Sequence, residues 1–168
     1  LLVLSFYQEF KDHDVGWATF FNDDILFARR DQWTTESGID ASYLFNNRMG
    51  ITAHARHYWG RAGYLSFHRL DAAGRLRPTE YTGLDANGDP IHDIDFDAFN
   101  VDLLFTWNFA PGSQLTLGWK NIIQTGSTRI SHDYLRDLEN TLAAPQTNSL
   151  SLKVLYYLDV LRFRGRTP

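Results

Sequence analysis

Residues 99–109 read FNVDLLFTWNF. Phe99, Val101, Leu103, Phe105, Trp107 and Phe109 alternate with Asn100, Asp102, Leu104, Thr106 and Asn108. A period of two puts the two sets on opposite faces of a β-strand. Ala110-Pro111-Gly112-Ser113 then supplies turn chemistry, and Leu115, Leu117 and Trp119 resume the apolar face against Gln114, Thr116, Gly118 and Lys120. The pair reads as an antiparallel hairpin with one greasy face and one wet one.

The same alternation spreads outward. Leu150, Leu152, Val154, Tyr156, Leu158 and Val160 oppose Ser149, Ser151, Lys153, Leu155, Tyr157 and Asp159, an apolar face about 11 residues long, which is what a tilted strand needs to cross a bilayer. Ile39, Ala41, Tyr43 and Phe45 precede a turn at Asn46-Asn47, and Ile51, Ala53 and Ala55 follow it. Upstream, Leu2, Leu4, Phe6 and Phe10 either continue through Val15, Trp17 and Thr19 or break at Asp12-His13-Asp14. Taking the longer option gives six strands, at 2–20, 25–45, 50–70, 98–109, 114–123 and 148–160. The connections at 46–49 and 110–113 are short, while 71–97 and 124–147 are long and rich in Gly, Asp, Asn, Thr and Pro. Short and long connections alternate in outer-membrane barrels, with the long loops outside and the C-terminus in the periplasm; a soluble sandwich favours connections of about four to six residues.

Composition fits this reading. With 21% charged and 15% aromatic residues in 168, the chain has the make-up of an ordered protein. A net charge of −4 without a basic stripe argues against a nucleic-acid partner. The absence of cysteine excludes disulfides and thiolate chemistry. No apolar run reaches the ~18 residues of a membrane-spanning helix, which leaves strands as the only means of crossing. The opening at Leu1, without a starting Met or a leader, reads as the C-terminal portion (1–168) of a longer barrel domain.

Two all-β architectures share this periodicity: an up-and-down transmembrane β-barrel and a soluble β-sandwich whose polar face is its solvated exterior. Unbroken Phe, Trp and Leu rows favour the barrel, as do Trp107, Trp119 and Tyr156 as candidates for an aromatic girdle at the lipid headgroups. A closed barrel usually needs at least eight strands. Either upstream strands supply the remainder, which is the preferred reading, or two long strands split and the chain closes as eight.

Five stretches carry a family resemblance: residues 25–32 (ILFARRDQ), 43–52 (YLFNNRMGIT), 56–59 (RHYW), 107–113 (WNFAPGS) with Trp119-Lys120-Asn121, and 148–153 (NSLSLK) with Tyr156-Tyr157-Leu158-Asp159. The resemblance they carry extends over nearly the whole chain. The sequence resembles the C-terminal barrel, itself a domain of unknown function, of large envelope proteins common in Bacteroidota-type bacteria. These proteins bear a carbohydrate-binding-module-like domain ahead of the barrel and are often labelled membrane-associated hydrolases. The resemblance implies fold and a Gram-negative outer-membrane location, with outer-membrane lipid and the barrel-insertion machinery as partners and glycan reached through the upstream domain. Many barrels end on an aromatic residue; here Phe163 is followed by Arg164-Gly165-Arg166-Thr167-Pro168, which moves the insertion signal inward to Tyr156–Phe163.

Motifs for chemistry are sparse. His54 and His57 have H-x-x-H spacing, but on a strand they face opposite sides and cannot share a metal without a bulge. Within His92–Asp97, three alternating carboxylates could suit a hard cation, although a solvated acidic loop edge is the reading preferred. Asp85-Ala86-Asn87-Gly88-Asp89 opens like a calcium loop, but its sixth position is Pro90 and its twelfth Phe96, so it reads as a turn. Ser131-His132-Asp133 places triad residue types side by side, whereas a working triad is assembled in space. No catalytic residue, metal site or cofactor is assigned. Arg56, Asp102, Lys120, Lys153 and Asp159 lie on proposed spanning strands and are expected to point into the lumen, because a cation on the lipid face costs ~2–4 kcal/mol at mid-depth. They either knit neighbouring strands or line a passage. The expected function is an anchoring barrel or conduit for the upstream domain, with a solute or glycan channel and a soluble binding module as alternatives.

Overall fold

The computed structural model describes residues 1–158. In chain order the elements are β1 (Leu2–Phe21), β2 (Asp24–Asn46), β3 (Met49–Leu70), the short β4 (Leu76–Pro78), β5 (Ile94–Ala110), β6 (Ser113–Ser127), α1 (Tyr134–Ala143) and β7 (Gln146–Leu155). The six long strands pair antiparallel in the order β1-β2-β3-β5-β6-β7, and β4 folds back on the end of β3. The chain is therefore an all-β up-and-down meander with one helix. The sheet is open: among the described residues β1 and β7 each have a neighbour on one side only.

The six strands expected from periodicity are present, with instructive differences at their ends. β5 starts at Ile94 rather than 98, and β6 runs to Ser127 rather than 123, because the polar residues there continue the ladder under cover of the loops. The last two residues of the expected 148–160 strand lie outside the described residues, and β7 runs from Gln146 to Leu155, ending before Tyr156. Its partner β6 begins at Ser113, and the Tyr157 amide leaves the ladder to donate to the Ser113 hydroxyl (2.9 Å). Inside the expected 124–147 loop lies α1, capped by Asp133, whose carboxylate accepts the amides of Leu135 and Arg136. The alternation of short and long connections has one exception. Asn22 and Asp23, with φ of 48° and 64°, make a two-residue hairpin turn between β1 and β2 at the long-loop end.

β1 is one strand rather than two. Its register shifts at Asp12-His13, where His13 takes a φ of 50° and its amide donates to Asp31 (2.9 Å), and again beside Ala18. Each bulge reverses which residues face which side. Phe6 and Phe10, then Val15 and Trp17, then Phe20 therefore stay on one face although their numbers change parity. The bulges correct the phase of the hydrophobic pattern.

Register partners share a face, so the ladder sorts the sheet. One face carries Leu2, Leu4, Ile39, Ala41, Ile51, Ala53, Val101, Leu103, Phe105, Leu117, Leu150 and Leu152 toward the short turns. The other carries Ser5, Glu36, Asp40, Thr52, His54, Arg56, Asn100, Asp102, Thr116, Lys120, Ser149 and Lys153. Toward the long loops both faces are covered. Residues 79–93 lie on the polar face, where Tyr81 and His92 pack on Phe67, and Phe67 stacks on Tyr64. Gly83 (φ +71°) sits against the Phe67 ring, where a Cβ would collide with it. α1 lies on the opposite face, against β5 and β6. Leu26, Ala28, Trp59 and Ile123 are buried in these covered regions, so the core sits at the loop end while the apolar face below it is bare.

Candidate functional site

The polar face holds four of the five charged residues singled out from sequence. Asp40, His54, Asp102 and Lys120 are successive register partners on β2, β3, β5 and β6. They form a polar rung across four strands: His54 bonds Asp40, and Lys120 Nζ lies 3.2 Å from Asp102 Oδ1. Arg56 Nη1 reaches Glu36 Oε1 at 3.6 Å on the next rung, and Lys153 stands opposite Thr116. Opposite charges across strands contribute roughly 0.2–1 kcal/mol per pair. Asp159 lies outside the described residues. His54 belongs with this set, and its shared parity with Arg56 on β3 is the signal that would have placed it there. As expected, His57 faces the other way, opposite Ser37 and Phe99.

The aromatic residues divide. Trp107, opposite Met49 at the end of the β3–β5 ladder, packs edge-on against Phe109, and Phe109 stacks on Tyr156, so these gather at the short-turn end. Trp119 does not join them. It stands opposite Leu103 and Leu150 in the interior of β6, and its indole donates to Asn148 (3.1 Å).

A second constellation lies beneath α1. His57, Trp59, Asp95 and Asp97 are each at most 4% exposed. Asp95 accepts from Trp59 Nε1 (2.8 Å) and from the Ser131 amide. The Arg61 guanidinium lies over the Trp59 ring at 4.0 Å and donates to the Ser131 carbonyl (2.9 Å). The Tyr134 hydroxyl bridges Ser37 Oγ (2.8 Å) and His57 Nδ1 (3.1 Å). Asp137 completes the group from the helix, bringing one oxygen of each of Asp95, Asp97 and Asp137 within 4.8 Å of one another. The expected solvated acidic edge at His92–Asp97 is thus wrong for two of its carboxylates. β5 begins early enough to bury Asp95 and Asp97 in the sheet, while Asp93 instead accepts the Tyr64 amide. Ser131 and Asp133 have structural work of their own, as does Asp85, which accepts the amides of Asn87 and Asp89 in a turn.

The model of a family described as a domain of unknown function (DUF5916) matches residues 1–167. The chain belongs to this family. No curated protein and no solved structure matches it.

In this DUF5916 chain the site beneath α1 is hidden from a reading of the sequence because its parts are distant in the chain and joined by a helix too short and polar to announce itself. Its electrostatics predict a pH response. Burial, and then the carboxylates of Asp97 and Asp95 alongside, push the Asp137 carboxyl up to about 7, with His57 opposing. Docked α1 therefore holds this proton more tightly than the undocked segment does. Docking is fully favoured below the usual carboxylate range near ~4, weakens as pH rises toward 7 and levels off above it. Hydrogen-exchange protection of the α1 amides, corrected for intrinsic rates and measured in chelator-treated buffer, is expected to fall between pH 5 and 8. Asp137→Asn should flatten that fall, and an unchanged slope in the variant would assign the response elsewhere.

Proposed function

We propose that this chain is a wall segment of a Gram-negative outer-membrane β-barrel that anchors, or forms a conduit for, a carbohydrate-binding or hydrolase-like domain ahead of it. The observation that carries the reading is the bare apolar face. Leu2, Leu4, Tyr43, Leu150 and Leu152 are each more than 60% exposed on a sheet with no second layer over them among the described residues. On β5 this band runs from Phe99 to Trp107, ~30 Å of strand at ~3.3 Å per residue and ~23 Å of height at ~40° tilt. That is close to the ~25 Å apolar belt of outer-membrane barrels, and Trp107 and Tyr156 mark its edge at the short turns, on the periplasmic side. A sandwich would require another sheet or helix over the same face.

The open edges support the same reading. Strands cannot present unpaired backbone to lipid, so β1 and β7 require neighbours, which further strands of a closed barrel provide. Outer-membrane lipid and the barrel-insertion machinery are then the partners. The polar face lines the lumen, and residues 79–93 fold over its outer end.

The charged rung favours a second reading, a passage for a small solute or glycan. In planar bilayers Lys120→Leu is expected to leave insertion intact while shifting the cation-to-anion permeability ratio several-fold, because it leaves Asp102 unpaired in the wall. Unchanged selectivity at unchanged conductance would count against a permeation path along this face, and the absence of any conductance would leave the anchor alone.

A further inference from the structure

We infer that Asp95, Asp97 and Asp137, with the His57 imidazole behind Asp97, form a divalent-cation site that fastens α1 to the outer end of the sheet. This site does not depend on the membrane reading: it sits under α1 at the outer rim of the apolar band, where His57 stands opposite Phe99. Three carboxylate oxygens within 4.8 Å of one another leave a centre no more than ~2.8 Å from each, a reach suited to calcium at ~2.3–2.6 Å and, with modest contraction, to manganese.

Acidic clusters are common, and what marks this one is its unanswered polar atoms. Asp97 Oδ1 and Asp137 Oδ2 are buried without a hydrogen-bond partner. So is His57 Nε2, on an imidazole 4% exposed, 3.4 Å from Asp97 Oδ1. Buried carboxylate oxygens without hydrogen bonds are costly, and a cation within reach of the three carboxylates would remove that cost for Asp97 and Asp137. The surroundings are built as metal sites are. His57 Nδ1 meets the Tyr134 hydroxyl, which meets Ser37 Oγ, so the imidazole is held with Nε2 facing Asp97. Asp95 is held by Trp59 and Ser131, each of which uses one lone pair per oxygen and leaves the others free. Arg61 supplies one positive charge beside the three acids, so a divalent ion balances the remainder.

The test uses the full chain in detergent, stripped with chelator and titrated calorimetrically with Ca²⁺, Mn²⁺ and Mg²⁺ in turn. One saturable equivalent of Ca²⁺ or Mn²⁺ is expected, together with increased hydrogen-exchange protection of α1. Asp137→Asn should weaken binding at least tenfold, and His57→Gln, which removes the imidazole that orients Asp97, by less. Asp137 lies on the peripheral helix, so its variant leaves the sheet to fold. Asp12→Asn, in the exposed Asp12/His13/Asp31 group, should leave binding unchanged. Absence of saturable binding by all three ions at millimolar concentration would overturn the proposal and leave a shared proton as the neutralising species. Binding that survives Asp137→Asn, or that is lost in Asp12→Asn, would overturn it equally.

Discussion

Leu103→Arg is expected to abolish assembly of the chain into the outer membrane, while Leu104→Arg, one residue further along, leaves assembly intact. Leu103 stands opposite Ala53 and Trp119 in the middle rung of the apolar band; Leu104 stands opposite Thr52 and Gly118 on the polar face. An arginine at the bilayer midplane costs ~2–4 kcal/mol, whereas one in a wet lumen is hydrated or finds a carboxylate. The two substitutions change the same residue type on the same strand, so β-propensity and size cancel in the comparison. Folded, protease-resistant protein recovered from the outer-membrane fraction measures the difference. Equal recovery, or loss of the Leu104 variant alone, would show that the faces are assigned the wrong way round.

Asp95→Ala is expected to release the 128–145 connection from the sheet. The substitution strands the buried Trp59 indole N–H, worth ~1–3 kcal/mol when left unsatisfied, and the part-buried Ser131 amide, and removes the carboxylate that most favours the Arg61 charge. A loss of about 2–4 kcal/mol corresponds to at least a ~30-fold fall in α1 amide protection, with new protease cuts inside 128–145. Asp95→Asn keeps an acceptor for Trp59 and should lose roughly half as much. Unaltered protection in Asp95→Ala would show that α1 is held by Tyr134 alone.

The sheet was legible because its strands are amphipathic with a period of two over long runs, a signal that survives any uncertainty about ends. In FNVDLLFTWNF, alternation alone places Asp102 and Leu103 on opposite faces, and Arg56, Asp102, Lys120 and Lys153 fall on one face by the same rule. What the sequence hides is what depends on distant partners. The bulge at Asp12-His13 looks like a break because a bulge and a turn use the same residues. α1 is masked because its sheet-facing residues, Tyr134, Asp137 and Thr141, are mostly polar. Asp95 and Asp97 look solvated because their burial comes from a helix some forty residues later.

Whether the bare face meets lipid is decided most simply by fractionating cells that make the full chain, then running the outer-membrane fraction on a gel with and without heating. A barrel wall needs detergent for extraction and runs as a compact band that shifts on boiling, which is the expected outcome. Protein that stays soluble without detergent and shows no heat shift would refute the barrel, and would require the apolar face to be covered by protein rather than lipid.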